Sequence, residues 1–209
     1  MGNVSHVKSK TFAANGADTT AICANQTNSG SGSMTLTDTG PAGVLVPGNL
    51  GTTVTIISTA SDSNTGITFD VTGMGVDGSE VSQTGITGPA GTSTVTTTTV
   101  FVSVTSITHS GTCTNVSCGI TATTTGTGVV FAGRTRVRGM HIKPSGTAGL
   151  IDFKNTSSSG TKLLEIGVHT DQTPVDPYIP DDGVLFDAGA FINLGSTDLA
   201  SNITVFYDG

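Results

Sequence analysis

The densest group of carboxylates in this chain is Asp181-Asp182-Gly183, with Asp176 before it and Asp187 after it. Grouped carboxylates could hold Ca²⁺ or, as a pair about 5 to 9 Å apart in a cleft, act as acid and base on a glycosidic bond. The spacing of a calcium loop is missing, and two tyrosines with no tryptophan supply little of the aromatic lining usual in sugar clefts, so a solvated turn is the favoured reading. His141 and His169 lie near Asp152, Glu165 and Asp171 in sequence, a set suited to acid-base or metal chemistry. No His-x-His or His-x-x-x-His spacing supports that use, and surface or strand-edge histidines are the default. Gly-x-Ser-x-Gly is absent, and Gly73-x-Gly75 and Gly126-x-Gly128 lack the following helix and lysine that cradle phosphate. The expectation is a chain that is not an enzyme, with no catalytic, cofactor-binding or metal residues.

Arg134, Arg136 and Arg138 alternate, so extended backbone would stack three guanidiniums on one face. Pairing with Asp and Glu of the same domain is their favoured use, and an acidic partner is the other. Nucleic acid ranks below both, because the net charge is −7 and stacking aromatics are few. His6, Lys8, Lys10 and Phe12 are the remaining candidate partner contacts. Cys23, Cys113 and Cys118 leave at least one thiol unpaired. Cys113 and Cys118 flank a short turn and are either bridged or, as favoured here, two buried thiols; the N-terminus lacks the apolar core of a secretion signal.

The elements that must carry these residues read as strands. Between Thr11 and Gly133 there is no lysine or arginine, and threonine, serine, glycine and valine dominate. β-branched residues suit extended backbone, 29 glycines and seven prolines supply breaks, and no window shows helical spacing. Ile67, Phe69 and Val71 alternate with Thr68 and Asp70, and Asp77-Gly78 offers a hairpin turn into Val81–Ile86. Further strands are expected at Met34–Asp38, Val54–Thr59, Val95–Ile107, which is long enough to bend or bulge, and Ile120–Thr125. Later, Ile151 and Phe153, then Leu164, Ile166 and Val168, then Ile203, Val205 and Tyr207, each alternate with polar or outward residues. Pro174, Pro177 and Pro180 exclude a central strand between Thr170 and Asp182 and fit an excursion on an edge. No apolar run approaches the roughly 20 residues that span a bilayer, so no membrane partner is expected.

Residues 134–209 hold six of the eight basic groups and nine of the fifteen acidic ones, a composition step that places a domain boundary near Gly133. The fold expected is all-β: an extended N-terminal arm (1–30), or a peripheral strand in its place, followed by two antiparallel β-sandwich or jelly-roll-like domains, 31–132 and 133–209.

The segments Arg136-Val-Arg-Gly-Met-His-Ile-Lys143, Ser145-Gly-Thr-Ala-Gly-Leu-Ile-Asp-Phe-Lys154, Leu163-Leu-Glu-Ile166, Tyr178-Ile-Pro-Asp-Asp-Gly-Val-Leu-Phe186 and Ile203-Thr-Val-Phe-Tyr207 resemble small β-rich virion proteins of tailed bacteriophages, especially marine and cyanobacterial ones. Gly85-Ile-Thr-Gly-Pro-Ala-Gly91, Phe101-Val-Ser-Val-Thr-Ser-Ile107 and Val116-Ser-Cys-Gly119 are similar to another phage pattern. The resemblance implies a virion part without enzymatic residues. The expected role is a capsid decoration (cement) protein on the virion exterior, made in the host cytoplasm. It would bind the major capsid protein and copies of itself, as a homotrimer at a threefold position, with the arm reaching the shell or a neighbour. A head or tail fibre or adaptor component binding a host glycan is the alternative.

Overall fold

The computed structural model describes residues 7–38, 43–46, 48–59, 61, 63–123, 125–180 and 182–209. Among the described residues there are seventeen strands and no helix. In chain order they are β1 (Lys8–Phe12), β2 (Asp18–Asn28), β3 (Gly32–Ser33), β4 (Val44–Leu45), β5 (Thr52–Ser58), β6 (Thr68–Met74), β7 (Glu80–Thr87), β8 (Thr94–Phe101), β9 (Ser103–His109), β10 (Cys113–Ile120) and β11 (Thr127–Phe131). They continue as β12 (Thr135–Pro144), β13 (Gly149–Asn155), β14 (Lys162–Val168), β15 (Val184–Phe186), β16 (Ala190–Leu194) and β17 (Ala200–Asp208).

These strands make four antiparallel sheets around two cores, the all-β sandwich class expected from composition. Sheet β2-β10-β5-β8 and sheet β3-β9-β6-β7, with β4 also on β9, enclose Ile22, Val54, Ile56, Phe69, Val71, Phe101, Val104 and Val116. Sheet β1-β17-β12-β15 and sheet β11-β16-β13-β14 enclose Phe12, Val137, Ile142, Ile151, Phe153, Phe186, Ile203 and Val205. Counting β3 and β4 as one position, both sandwiches have the same connectivity. One sheet runs first-eighth-third-sixth and its partner runs second-seventh-fourth-fifth. The whole first sandwich is inserted between the first and second strands of the other.

Local sequence accounts for several elements. Asp77-Gly78 closes the β6–β7 hairpin, where Gly78 takes φ 73° without the steric cost a Cβ would add. Ile203, Val205 and Tyr207 are buried while Phe206 faces out, as the period of two requires.

Other expectations are corrected. Of the two readings of the N-terminal segment, the peripheral strand holds over the described residues: residues 8–12 form β1 against β17, and residues 18–28 form β2 against β10. Each contributes a buried apolar anchor, Phe12 to one core and Ile22 to the other. The step at Gly133 does not coincide with the change of core, because β11 already pairs with β16. Val95–Ile107 is two strands in facing sheets. Phe101 and Val104 are both buried but three residues apart, so one straight strand would point them to opposite faces, and the chain turns a corner at Val102 to bring both inward. At Met34–Asp38 only the preceding Gly32–Ser33 is strand, and Thr35 and Thr37 are tied by their N–H groups to the Gln26 side chain and the Ile22 carbonyl. β10 stops at Ile120, and Thr121 and Thr123 spend their hydroxyls on Thr52, Thr53 and Asn15.

The sandwiches are locked together at the loop between β4 and β5. Val46 packs in the first core, whereas Leu50, four residues later, is fully buried in the second. The Ala13 N–H donates to Gly48 O (2.9 Å), the Gly51 N–H to Thr127 O (3.0 Å), and Asn49 Nδ2 to Thr11 O (2.8 Å). A Cβ on Gly51 would lie 2.5–2.7 Å from methyls of Val76, Val100 and Thr125, so only glycine passes this junction without displacement. No helix among the described residues is long and apolar enough to cross a membrane.

Candidate docking surface

The N-terminal residues expected to touch a partner are largely engaged within the chain. His6 lies outside the described residues. Lys8 donates its ammonium to Gly209 O and lies 5.5 Å from the centroid of the Phe131 ring. Lys10 stands 5.8 Å over Phe12, and burial lowers its ammonium from the usual value. Phe12 is fully buried, which corrects its assignment as a partner contact: it anchors β1 in its own core.

The arginine row is set by β12. Val137 and Met140 both enter the core although they are three apart, because a bulge between Val137 and Gly139 adds a residue on the outer side. Arg138 donates from Nε to Asp208 Oδ2 at 2.6 Å and reaches Asp182 at 3.4 Å, while Arg134 lies 3.8 Å from Asp187. Arg136 stands opposite Asp208 on β17 and Leu185 on β15. With Arg134, Leu185, Asp208 and Gly209 it lines a shallow depression of about 280 Å³. Arg134 and Arg138 thus pair inside their own sandwich, and among the described residues no carboxylate of this acidic group forms an ion pair with Arg136.

The acidic group is dispersed. Asp176 meets His141 Nδ1 at 2.7 Å, Asp182 meets Arg138 and Asp187 meets Arg134; Asp181 lies outside the described residues. Each described carboxylate has its own cationic or imidazole partner, and among the described residues no three His, Cys, Asp or Glu side chains converge as metal ligands. The proline-rich segment is pinned beside β12 by paired bonds between Val175 and Ile142, both 2.9 Å. Two residues past Asp176, Tyr178 is 86% exposed. Cys113 and Cys118 both lie on β10, about 16 Å apart at the rise of a strand, and cannot bridge; Cys118 instead faces Cys23.

What the sequence did not reveal is how the surface is partitioned. The exposed large apolar side chains among the described residues, Val7, Leu150, Leu163, Tyr178 and Phe206, all belong to the second sandwich or lead into it. So do all eight lysines and arginines, because β1 carries Lys8 and Lys10 there. Residues 18–120 hold six acidic groups and no basic one, a formal charge of −6 against −1 for the rest. The outward phase of Phe206 was readable from its alternation; the arrival of β1 beside it was not.

Comparison with protein-family models, with curated proteins and with solved structures gave no match.

Proposed function

We propose that this protein is a structural component of a tailed-bacteriophage virion that decorates and stabilises the capsid. It binds the major capsid protein and copies of itself, without enzymatic activity or a cofactor. We read the strand order of each sandwich as that of a jelly roll, a fold that serves viral coats and lectins alike. The observation that carries the proposal is the partition of the surface. The second sandwich has every lysine and arginine and, among the described residues, the large exposed apolar side chains, which suits it to dock, while the acidic, threonine-rich first sandwich suits solvent and keeps neighbouring copies soluble.

A standard interface takes about 800 Å² per partner, less than a tenth of the 9460 Å² surface, so the second sandwich has room for the shell and for a neighbouring copy. A homotrimer at a threefold position would use both contacts. The exposed Tyr178 favours the second reading, a head or tail fibre or adaptor component binding a host surface glycan through that aromatic tip. Mixing the purified protein with shells that lack it, followed by sedimentation and imaging, tests the choice. Decoration predicts hundreds of copies on the lattice; tens at a tail or vertex, or failure to sediment with shells, overturns it.

A further inference from the structure

Cys23 on β2 and Cys118 on β10 are direct register partners across an antiparallel pair, and both are fully buried. Opposed residues in such a pair have Cα atoms about 4.5–5.5 Å apart, inside the range that a disulfide spans. Directly opposed residues project from the same face of the sheet, whereas Cys113 faces elsewhere, with its Sγ 3.9 Å from Met34 Sδ. β2 is an edge strand, held by β10 alone within its sheet, and its pairing shifts register between successive pairs.

We propose that Cys23 and Cys118 are a latent cross-strand disulfide, a modification site closed by a small peroxide-class oxidant. Cys23 is the attacking sulfur: the Cys118 thiol donating toward it lowers its proton affinity, and the same contact with burial holds the Cys118 proton well up. The Cys23 thiolate attacks one peroxide oxygen, the O–O bond breaks, and one water leaves with the thiol's proton, giving a sulfenic acid. Cys118 sulfur then displaces the sulfenic hydroxyl, which departs as a second water with the Cys118 proton. Two thiols and one hydrogen peroxide become one disulfide and two waters, the sulfurs oxidised and the peroxide oxygens reduced.

The test uses the full chain, purified under reductant, exposed to hydrogen peroxide and then alkylated. Alkylatable thiols should fall from three to one, with a mass loss of about 2 Da before alkylation. Trypsin cannot separate the cysteines, since no lysine or arginine lies between Thr11 and Gly133, but cleavage at aspartate isolates Cys23 from the other two. The C113A variant should lose both remaining thiols, and C118A should form no intramolecular link. If C118A does not fold, the wild type and C113A decide the matter. Three alkylated thiols, a link through Cys113, or oxygen addition without a link overturns the proposal.

Discussion

Replacing Phe12 by alanine separates the two accounts of the N-terminus most sharply. Residues 8–12 bury one side chain completely, and that side chain is Phe12; the rest of β1 is exposed or half-buried. The ring packs against Gly128, whose hypothetical Cβ would sit 2.9 Å from Phe12 Cε1, so the pocket is filled to contact. Truncating a buried phenylalanine to alanine costs about 3–5 kcal/mol. For a chain of this size each kcal/mol moves the thermal midpoint by roughly 2–4 °C, so F12A should melt roughly 6–20 °C lower by scanning calorimetry. F12L, which keeps most of the apolar volume, should lose about 1 kcal/mol. V7A, at an exposed position just outside the strand, should stay within about 0.5 kcal/mol of wild type. An F12A midpoint within a degree of wild type would refute the core assignment and restore a free arm.

Leu50→Ala should cost about 2–5 kcal/mol although the residue belongs to the chain of the first sandwich, and chemical denaturation should show the loss in the transition of the second, whose core it fills. Trypsin should cut first after the exposed Arg134, between β11 and β12; the two fragments should co-elute until denatured, because β1 and β11 on one piece pair with β17 and β16 on the other. Separation of the fragments under native conditions would contradict that topology. Lys162 beside Glu165 holds the Glu165 carboxyl below its ordinary 4.5. Its folded pKa is the lower one, so the pair's contribution is complete above the unfolded value and disappears as pH falls through the folded one. Carboxyl NMR titration should show the low midpoint, and K162M should return it to the ordinary range.

Elements whose own side chains alternate were legible: β13, β14 and β17 each state their buried face within a few residues, and Asp77-Gly78 states its hairpin. β1 and β2 were legible only as one of two readings, because an edge strand with one anchor, Phe12, or two, Ile22 and Cys23, reads locally as a polar arm just as well. Their strand character comes from partners about 190 and 95 residues away in sequence, at Ile203 and Cys118, which no local pattern encodes. The same distance hid the partition of the surface. Composition alone left Lys8 and Lys10 on the N-terminal segment outside both domains, and only pairing with β17 places them on the second sandwich. Internal pairing of Arg134 and Arg138 was the favoured reading because the same domain supplies most of the carboxylates; which carboxylate each takes depends on the pairing of β12 with β15 and β17, which brings Asp187 and Asp208 to it from far along the chain.

Two sandwiches with one strand order but unlike surfaces place the same demands on their interiors and different ones on their exteriors. Each core needs apolar residues at the inward phase of eight strands, and both have them: Phe69, Val71, Phe101 and Val104 in one, Phe153, Val137, Phe186 and Ile203 in the other. Nothing in that requirement dictates that one exterior should lack cations altogether while the other collects eight and the exposed Leu163, Tyr178 and Phe206. Charge of one sign on a solvated module opposes its packing against copies of itself, whereas apolar side chains set among paired charges can be covered without stranding an ion. Insertion of the first sandwich between β1 and β11, with Leu50 buried across the junction, then makes the orientation of one module a consequence of how the other is seated. The direction follows: a partner that grips the second sandwich holds the first away from the contact, and charge reversal on residues 18–120 should alter solubility before it alters attachment.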